Sequence, residues 1–215
     1  FLLFAGELKT NATFDYETRS EYIVAIKTTD KESSSIFKQF VITIKDTNDA
    51  PTGISISQGI IGENESVGTF IGVYSTTDAD DNNTFTYSFA TGAGDDDNVS
   101  FTIKDDSLFS NSVFEYNGKT SYTTLVKSQD NGGLSTNEVI LITIGDENDA
   151  PTDILYTTNN VTENATVGDV VGSLSATDSD AGNTFVFSLV TGSGDVDNAK
   201  FILVGNEIKL LSSLD

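Results

Sequence analysis

The chain has 215 residues, enough for more than one core at about 100–150 residues per domain. Its 33 Asp and Glu against 11 Lys and Arg give a formal charge of −22, which excludes nucleic acid and anionic membrane surfaces, since both need basic patches. His and Cys are absent, which excludes nucleophile–histidine triads, histidine or thiolate metal sites and disulfides, while 14 Phe, 7 Tyr and many Val, Ile and Thr exclude a disordered acidic chain. No apolar stretch approaches the roughly 18 residues of a membrane span, and neither a signal peptide nor an initial Met is present. The chain reads as a window cut from a longer protein.

In chain order, Phe1-Leu-Leu-Phe opens an apolar run, Asp15-Tyr-Glu17 precedes a strand-like stretch, and Asp30 follows it. Phe40–Ile44 is a second apolar strand, and Asp46-Thr-Asn-Asp-Ala-Pro-Thr52 comes directly after it. The carboxylates and amide of that phrase offer hard oxygen atoms, and its proline keeps the exit extended. A polar turn between domains is the plainer account of one copy. The phrase recurs, however, as Asp146-Glu-Asn-Asp-Ala-Pro-Thr152, after the strand Val139–Ile144. Between the copies, partial apolar/polar alternation predicts strands over 54–56, 69–75, 84–89, 101–103, 121–126 and 138–144. Clusters of Gly, Asn and Asp separate them, and no stretch shows helical periodicity.

The two phrases lie 100 residues apart, and the same ruler fits the rest of the chain without gaps. It pairs Glu63-Asn64 with Glu163-Asn164, Asp78-Ala-Asp80 with Asp178-Ser-Asp180, and Thr91-Gly-Ala-Gly-Asp95 with Thr191-Gly-Ser-Gly-Asp195. Phe1, Phe101 and Phe201 share one repeat position; Asp15, Glu115 and Asp215 share another. Residues 1–50 are then the last half of one repeat, 51–150 a complete repeat, and 151–215 the first two-thirds of a third. Several short strands per 100 residues predict an all-β chain of tandem antiparallel Greek-key sandwiches. Strand ends gather at the poles of a sandwich, so the recurring acids should collect where one repeat meets the next. Six to eight oxygens in such a cage suit Ca²⁺ better than zinc.

These motifs together resemble tandem cadherin repeats, in particular the bacterial cadherin-like repeats of large secreted surface proteins. The resemblance covers the whole chain, and its motifs are specific in combination and weak singly. Glu63-Asn64 is similar to the family's Pro-Glu-Asn, with Gly62 (Thr162 in the next copy) in place of proline. Asp15-Tyr-Glu17 resembles its Asp-Arg-Glu, Asp78-Ala-Asp80 its Asp-x-Asp, Asp130 the Asp of its Ala-x-Asp, and Asp46–Asp49 its linker. The resemblance implies immunoglobulin-like sandwiches joined by calcium-binding linkers, on the cell surface or outside the cell. It implies one calcium set of Asp15, Glu17, Asp46, Asn48, Asp49, Asp78, Asp80 and Asp130. It implies a second of Glu63, Glu115, Asn117, Asp146, Asn148, Asp149, Asp178 and Asp180, with Glu163 as the early Glu of the third repeat. Two departures stand out. The linkers lack the second Asn of the animal Asp-x-Asn-Asp-Asn-Ala-Pro pattern, so two ions per junction are as plausible as three. Asn117 replaces a Glu and cannot supply a bidentate carboxylate, so the second set should bind more weakly.

The acidic turns Gly94–Asn98 and Gly194–Asn198 are expected to bond to local backbone rather than hold an ion. Tyr16, Tyr22, Tyr116 and Tyr122 recur at equivalent places and should pack. Asn11, Asn98 and Asn164 open glycosylation triplets, a pattern short enough to arise by chance. Paired carboxylates that repeat in every domain are better explained as ligands than as a glycosidase site, so no catalysis is expected. The leading expectation is a calcium-stiffened spacer in an adhesin or surface filament. Its rival is a module that itself binds polysaccharide or a partner repeat, beside a catalytic domain in a secreted polysaccharide-processing protein, favoured by an exposed aromatic groove and disfavoured by the absence of Trp. Glycans or surface proteins of other cells are the further partners expected.

Overall fold

A computed structural model describes residues 1–157 and 160–213, so the repeat position at Asp215 lies outside the described residues. The chain divides into two compact units, Phe1–Gly145 and Asp146–Asp215.

The first unit opens with two antiparallel hairpins. β1 (Leu2–Phe4) pairs with β2 (Glu7–Lys9), and the longer β3 (Glu21–Thr29) pairs with β4 (Ser35–Thr43). There follow β5 (Gly53–Ile56), β6 (Ile60–Gly62), β7 (Phe70–Thr77), β8 (Thr86–Phe89), β9 (Phe101–Lys104), β10 (Ser107–Ser110), β11 (Ser121–Gln129) and β12 (Ser135–Gly145). They form two four-stranded sheets, ordered β5-β7-β10-β9 and β6-β12-β11-β8. All pairs are antiparallel except β6 with β12.

The core lies between these sheets because each strand turns alternate residues inward. Ile140, Ile142 and Ile144 of β12 are buried, whereas Val139 and Leu141 are exposed. From the opposite sheet Ile54, Ile71, Tyr74, Phe101 and Leu108 join the same cluster. Phe114, from the β10–β11 connection, completes it. Burying each of these side chains contributes about 1.5–3 kcal/mol before entropy is counted. One polar chain crosses the core: the Thr76 hydroxyl meets the Tyr87 hydroxyl at 2.9 Å and the Ser128 hydroxyl at 2.7 Å.

The all-β expectation is met, with two strands that the alternation did not find. β6 has three residues and pairs in parallel, too short for a period of two to register. β10 spans only Ser107–Ser110, and its pairing with β7 shifts register between Leu108 and Phe109. The tyrosines pack as expected at Tyr22 and Tyr122. Tyr122 lies 4.7 Å from Phe114 and 6.0 Å from Phe101, and Tyr22 sits equivalently against Phe14 and Phe1. Tyr116 packs against the core, whereas Tyr16 is exposed.

The second unit holds β13 (Asp153–Tyr156), β14 (Val170–Thr177), β15 (Phe201–Val204) and β16 (Glu207–Leu210) in the order β13-β14-β16-β15. That is the order of β5, β7, β9 and β10 in the sheet above, and Val171 and Leu210 are buried on it.

Candidate metal centre

In the first unit, sequence-distant acids meet where the 46–49 segment crosses the end of the sandwich. Oxygen atoms of Glu17, Asp46 and Asp80 all lie within 4.8 Å of one another. Asp80 stands just beyond β7, in a loop closed by its own N–H donating to Asp78 Oδ1 at 3.0 Å. Asp130 stands just beyond β11 and is 5% exposed. Its Oδ1 accepts from the Leu134 N–H at 2.9 Å, and its Oδ2 from Asn48 Nδ2 at 3.0 Å. The Asp49 N–H donates to Asp80 Oδ2 at 2.7 Å. Six of the eight residues expected in the first set, Glu17, Asp46, Asn48, Asp49, Asp80 and Asp130, are thus tied directly to one another or through Asp80, and Asp78 joins by the loop bond. Asp15 is turned partly to its own chain: its carboxylate accepts from the Thr18 N–H and hydroxyl at 3.0 and 2.9 Å.

Two oxygens decide what this arrangement can do. Asp78 Oδ2 and Asp80 Oδ1 are buried and have no hydrogen-bond donor among the described residues. An ionised carboxylate only accepts, so a buried oxygen without a donor is costly unless a cation satisfies it. Oxygens gathered within 4.8 Å of one another are close enough to share one ion with bonds of about 2.3–2.6 Å, the Ca²⁺ range. The residues present therefore fit a hard divalent cation.

The electrostatics are those of crowded acids. For Glu17 a bond from its own N–H lowers the carboxyl. Burial, the charge of Asp46, the Asp15 side chain and the charge of Asp49 outweigh it and raise the group above its ordinary value. For Asp15 the Thr18 N–H and hydroxyl dominate and lower it. Burial would raise Asp130, but the Asn48 amide and the N–H groups of Leu134, Gly133 and Gly132 hold it below the usual range.

Of the second expected set, Glu63 is buried at 2% exposure and accepts the Tyr116 N–H at 2.7 Å, while Glu115 and Asn117 are exposed. In the second unit the Asp149 N–H donates to Asp180 Oδ2 at 2.6 Å, and the Ser179 hydroxyl to Asp149 Oδ2 at 2.8 Å. Asn148 Nδ2 donates to the Asp149 carbonyl at 2.8 Å, and the Asp180 N–H to Asp178 Oδ1 at 2.9 Å. Asp146 and Glu163 are exposed.

Sequence reasoning missed how far the acidic turn Gly94–Asn98 reaches. Asp95 does cap its own turn, accepting the Gly92 N–H at 3.0 Å. Asp97, however, accepts the Thr123 N–H at 2.8 Å and pairs with Lys119, and Asn98 bridges the Ala90 carbonyl and the Leu125 N–H. The turn therefore fastens the β8–β9 connection onto β11, and both amide atoms of Asn98 are taken up. Burial would raise the Asp97 carboxyl, but Lys119 and the Thr123 N–H more than offset it and hold it low. A carboxyl lowered by folding stabilises fully above its unfolded value, about pH 4, and loses that contribution as pH falls through the folded value. Asp97→Asn is expected to cost about 1–2 kcal/mol in urea unfolding at pH 7. The difference from the parent chain should close as pH falls through the lowered folded value of Asp97; equal stability at pH 7 would refute the bond's role.

No family model matches the chain. Mouse Protocadherin 18 is 33% identical over 65% of the chain, and mouse Protocadherin Fat 4 is 29% identical over 99%. The chain is homologous to cadherin repeats. It spans only 14% and 4% of the lengths of those two relatives, which, like the Drosophila Fat-like cadherin-related tumor suppressor homolog, are animal proteins. Among solved structures, Protocadherin Gamma B2 extracellular cadherin domains 3-6 match with a TM-score of 0.62 at 24% identity, covering 96% of this chain and 55% of that one. The human Desmocollin-1 ectodomain matches with a TM-score of 0.56 at 22% identity, covering 94% and 41%. These likenesses give the cadherin ectodomain fold.

Proposed function

We propose that this chain is a calcium-stiffened extracellular segment of a long adhesion protein, acting chiefly as a spacer, with repeats at 1–50, 51–150 and 151–215. The observation that carries the reading is the pair of buried, donor-less oxygens on Asp78 and Asp80 beside Glu17 and Asp46. Without a cation these carboxylates repel one another; with one, the divalent charge draws Glu17 and Asp46 toward Asp78 and Asp80. Asp15, Asn48, Asp49 and Asp130 complete the first set. Glu63, Glu115, Asn117, Asp146, Asn148, Asp149, Glu163, Asp178 and Asp180 take the matching roles elsewhere. The missing second Asn of both linkers favours the bacterial cadherin-like branch. Calorimetric titration tests the proposal: Ca²⁺ should bind with dissociation constants between micromolar and millimolar, and Mg²⁺ at least tenfold more weakly. Equal affinity for the two ions would overturn it, because the smaller ion demands a rigid octahedral shell.

A further inference from the structure

Gly132 has no backbone reason to be glycine. Its φ is not positive, and the same loop forms 100 residues upstream around Glu32. There Asp30 accepts the Ser34 N–H at its Oδ1 at 2.9 Å, and the Asp30 N–H donates to the Ser34 carbonyl at 2.9 Å. In the Gly132 copy the corresponding Asp130 bonds to Leu134 measure 2.9 and 3.0 Å. At Gly132 the loop also has a close neighbour from the linker. A Cβ on Gly132 would fall 2.1 Å from Asn48 Oδ1 and 2.6 Å from its Nδ2, positions that no side chain can share. The opening at Gly132 is therefore the seat of the Asn48 amide, which from there reaches Asp130 Oδ2.

The seat holds more than one side chain. Next to Asn48, the Asp49 N–H is bonded to Asp80, and three residues on the Thr52 N–H and hydroxyl donate to the Thr77 carbonyl at 2.8 and 3.2 Å. Pro51 between them is buried. On the other side, the last bond to the preceding hairpin is the Ile44 N–H to the Ser20 carbonyl at 2.8 Å. No hydrogen bond among the described residues holds Lys45, Asp46 or Thr47.

We infer that Asn48, seated against Gly132, is a metal-independent latch that fixes residues 48–52 to the following sandwich and confines the hinge to Lys45–Thr47. Gly132 is then a positioning residue, and Asn48, besides its place in the first set, positions the linker before any ion arrives. They hold the Asp49 backbone against Asp80, so that half of the acid cluster is assembled before any ion arrives. The link to ion affinity rests on the calcium reading above; the latch itself does not.

Amide exchange followed residue by residue in chelator tests it on the 215-residue chain. The Asp49 and Thr52 amides should be protected, and those of Lys45, Asp46 and Thr47 should exchange freely. Gly132→Ala should cut Asp49 protection tenfold or more while leaving Leu134 and Thr52 protected, because the loop tolerates a side chain there. Asn48→Ala, which removes the amide without intruding on the loop, should do the same. Both variants should also weaken calcium binding about three- to tenfold, with melting in chelator unchanged. Free exchange of Asp49 in the parent chain, or full Asp49 protection in both variants, overturns the latch. Protection that responds to the variants in a chain that binds no calcium would uphold the latch and sink the calcium reading alone.

Discussion

In millimolar calcium the chain is expected to melt higher than in excess chelator, by roughly 5–10 °C for each ion bound at a hundred times its dissociation constant. Occupancy at that level adds about 2.7 kcal/mol to the folded state. In a unit of this size each kcal/mol moves the midpoint by about 2–4 °C. The source of the gain is local: the ion satisfies Asp78 Oδ2 and Asp80 Oδ1, which fold without a donor, and relieves the repulsion felt by Glu17. Magnesium should give less than half the shift at equal concentration, since it sheds water reluctantly. Scanning calorimetry in the three conditions decides the question, and superimposable traces in calcium and chelator would remove the basis for a cation cage.

The second large effect is expected from Asp80→Ala. Asp80 contributes one buried oxygen to the cluster and uses the other to hold the Asp49 N–H, so its loss removes both a charge and a fixed point of the linker. Calcium affinity should fall about a hundredfold, about 2.7 kcal/mol. Stability in chelator should change by less than about 1 kcal/mol, because the lost Asp49 bond is offset by removal of a buried, unsatisfied oxygen. Asp81→Ala is the control. That carboxylate lines a pocket together with Glu17 and Asp46, but it is exposed and solvated, and its loss should weaken binding less than about threefold. If calorimetry gives the two variants the same affinity, the cluster acts as a diffuse negative surface and not as a coordination site.

The sequence makes most of the strands legible. β12 reads as an apolar strand, although its exposed Val139 and Leu141 are as apolar as the buried Ile140, Ile142 and Ile144, so the sequence marks the strand and only the fold shows which face turns inward. The strand pattern fails at β6, where three residues are too few, and at β10, where four residues set the apolar Leu108 and Phe109 side by side. The acids of the cluster are legible because they recur every 100 residues, and recurrence singles them out from the other carboxylates of a strongly acidic chain. Their individual work is not legible. Asn48 reads as one more oxygen donor, whereas the fold engages its Nδ2 with Asp130, and Gly132 reads as an ordinary turn residue although the packing gives it a neighbour. Asp97 looks like a turn acid, and only the three-dimensional arrangement brings Lys119 and the Thr123 N–H to it. In each case the missing information is a contact between positions far apart in sequence, which neither periodicity nor spacing encodes.

The hydroxyl chain of Thr76, Tyr87 and Ser128 has a consequence for how an array of such units is made. The pairs β5–β7 and β13–β14 share one register, Gly53 opposite Thr77 and Asp153 opposite Thr177, so the backbone alone would accept a strand borrowed from the wrong copy. Tandem chains commonly misassemble by that route. The positions matching Thr76, Tyr87 and Tyr74 in the next copy are Ala176, Phe187 and Leu174. A borrowed strand carrying Ala in place of Thr76 would leave the buried Ser128 hydroxyl without that partner, at a cost of about 1–3 kcal/mol, and would take a partner from the half-buried Tyr87 as well. Neighbouring copies thus carry mismatched interiors inside matching frames, and a unit built from its own strands is favoured over a mixed one by that difference.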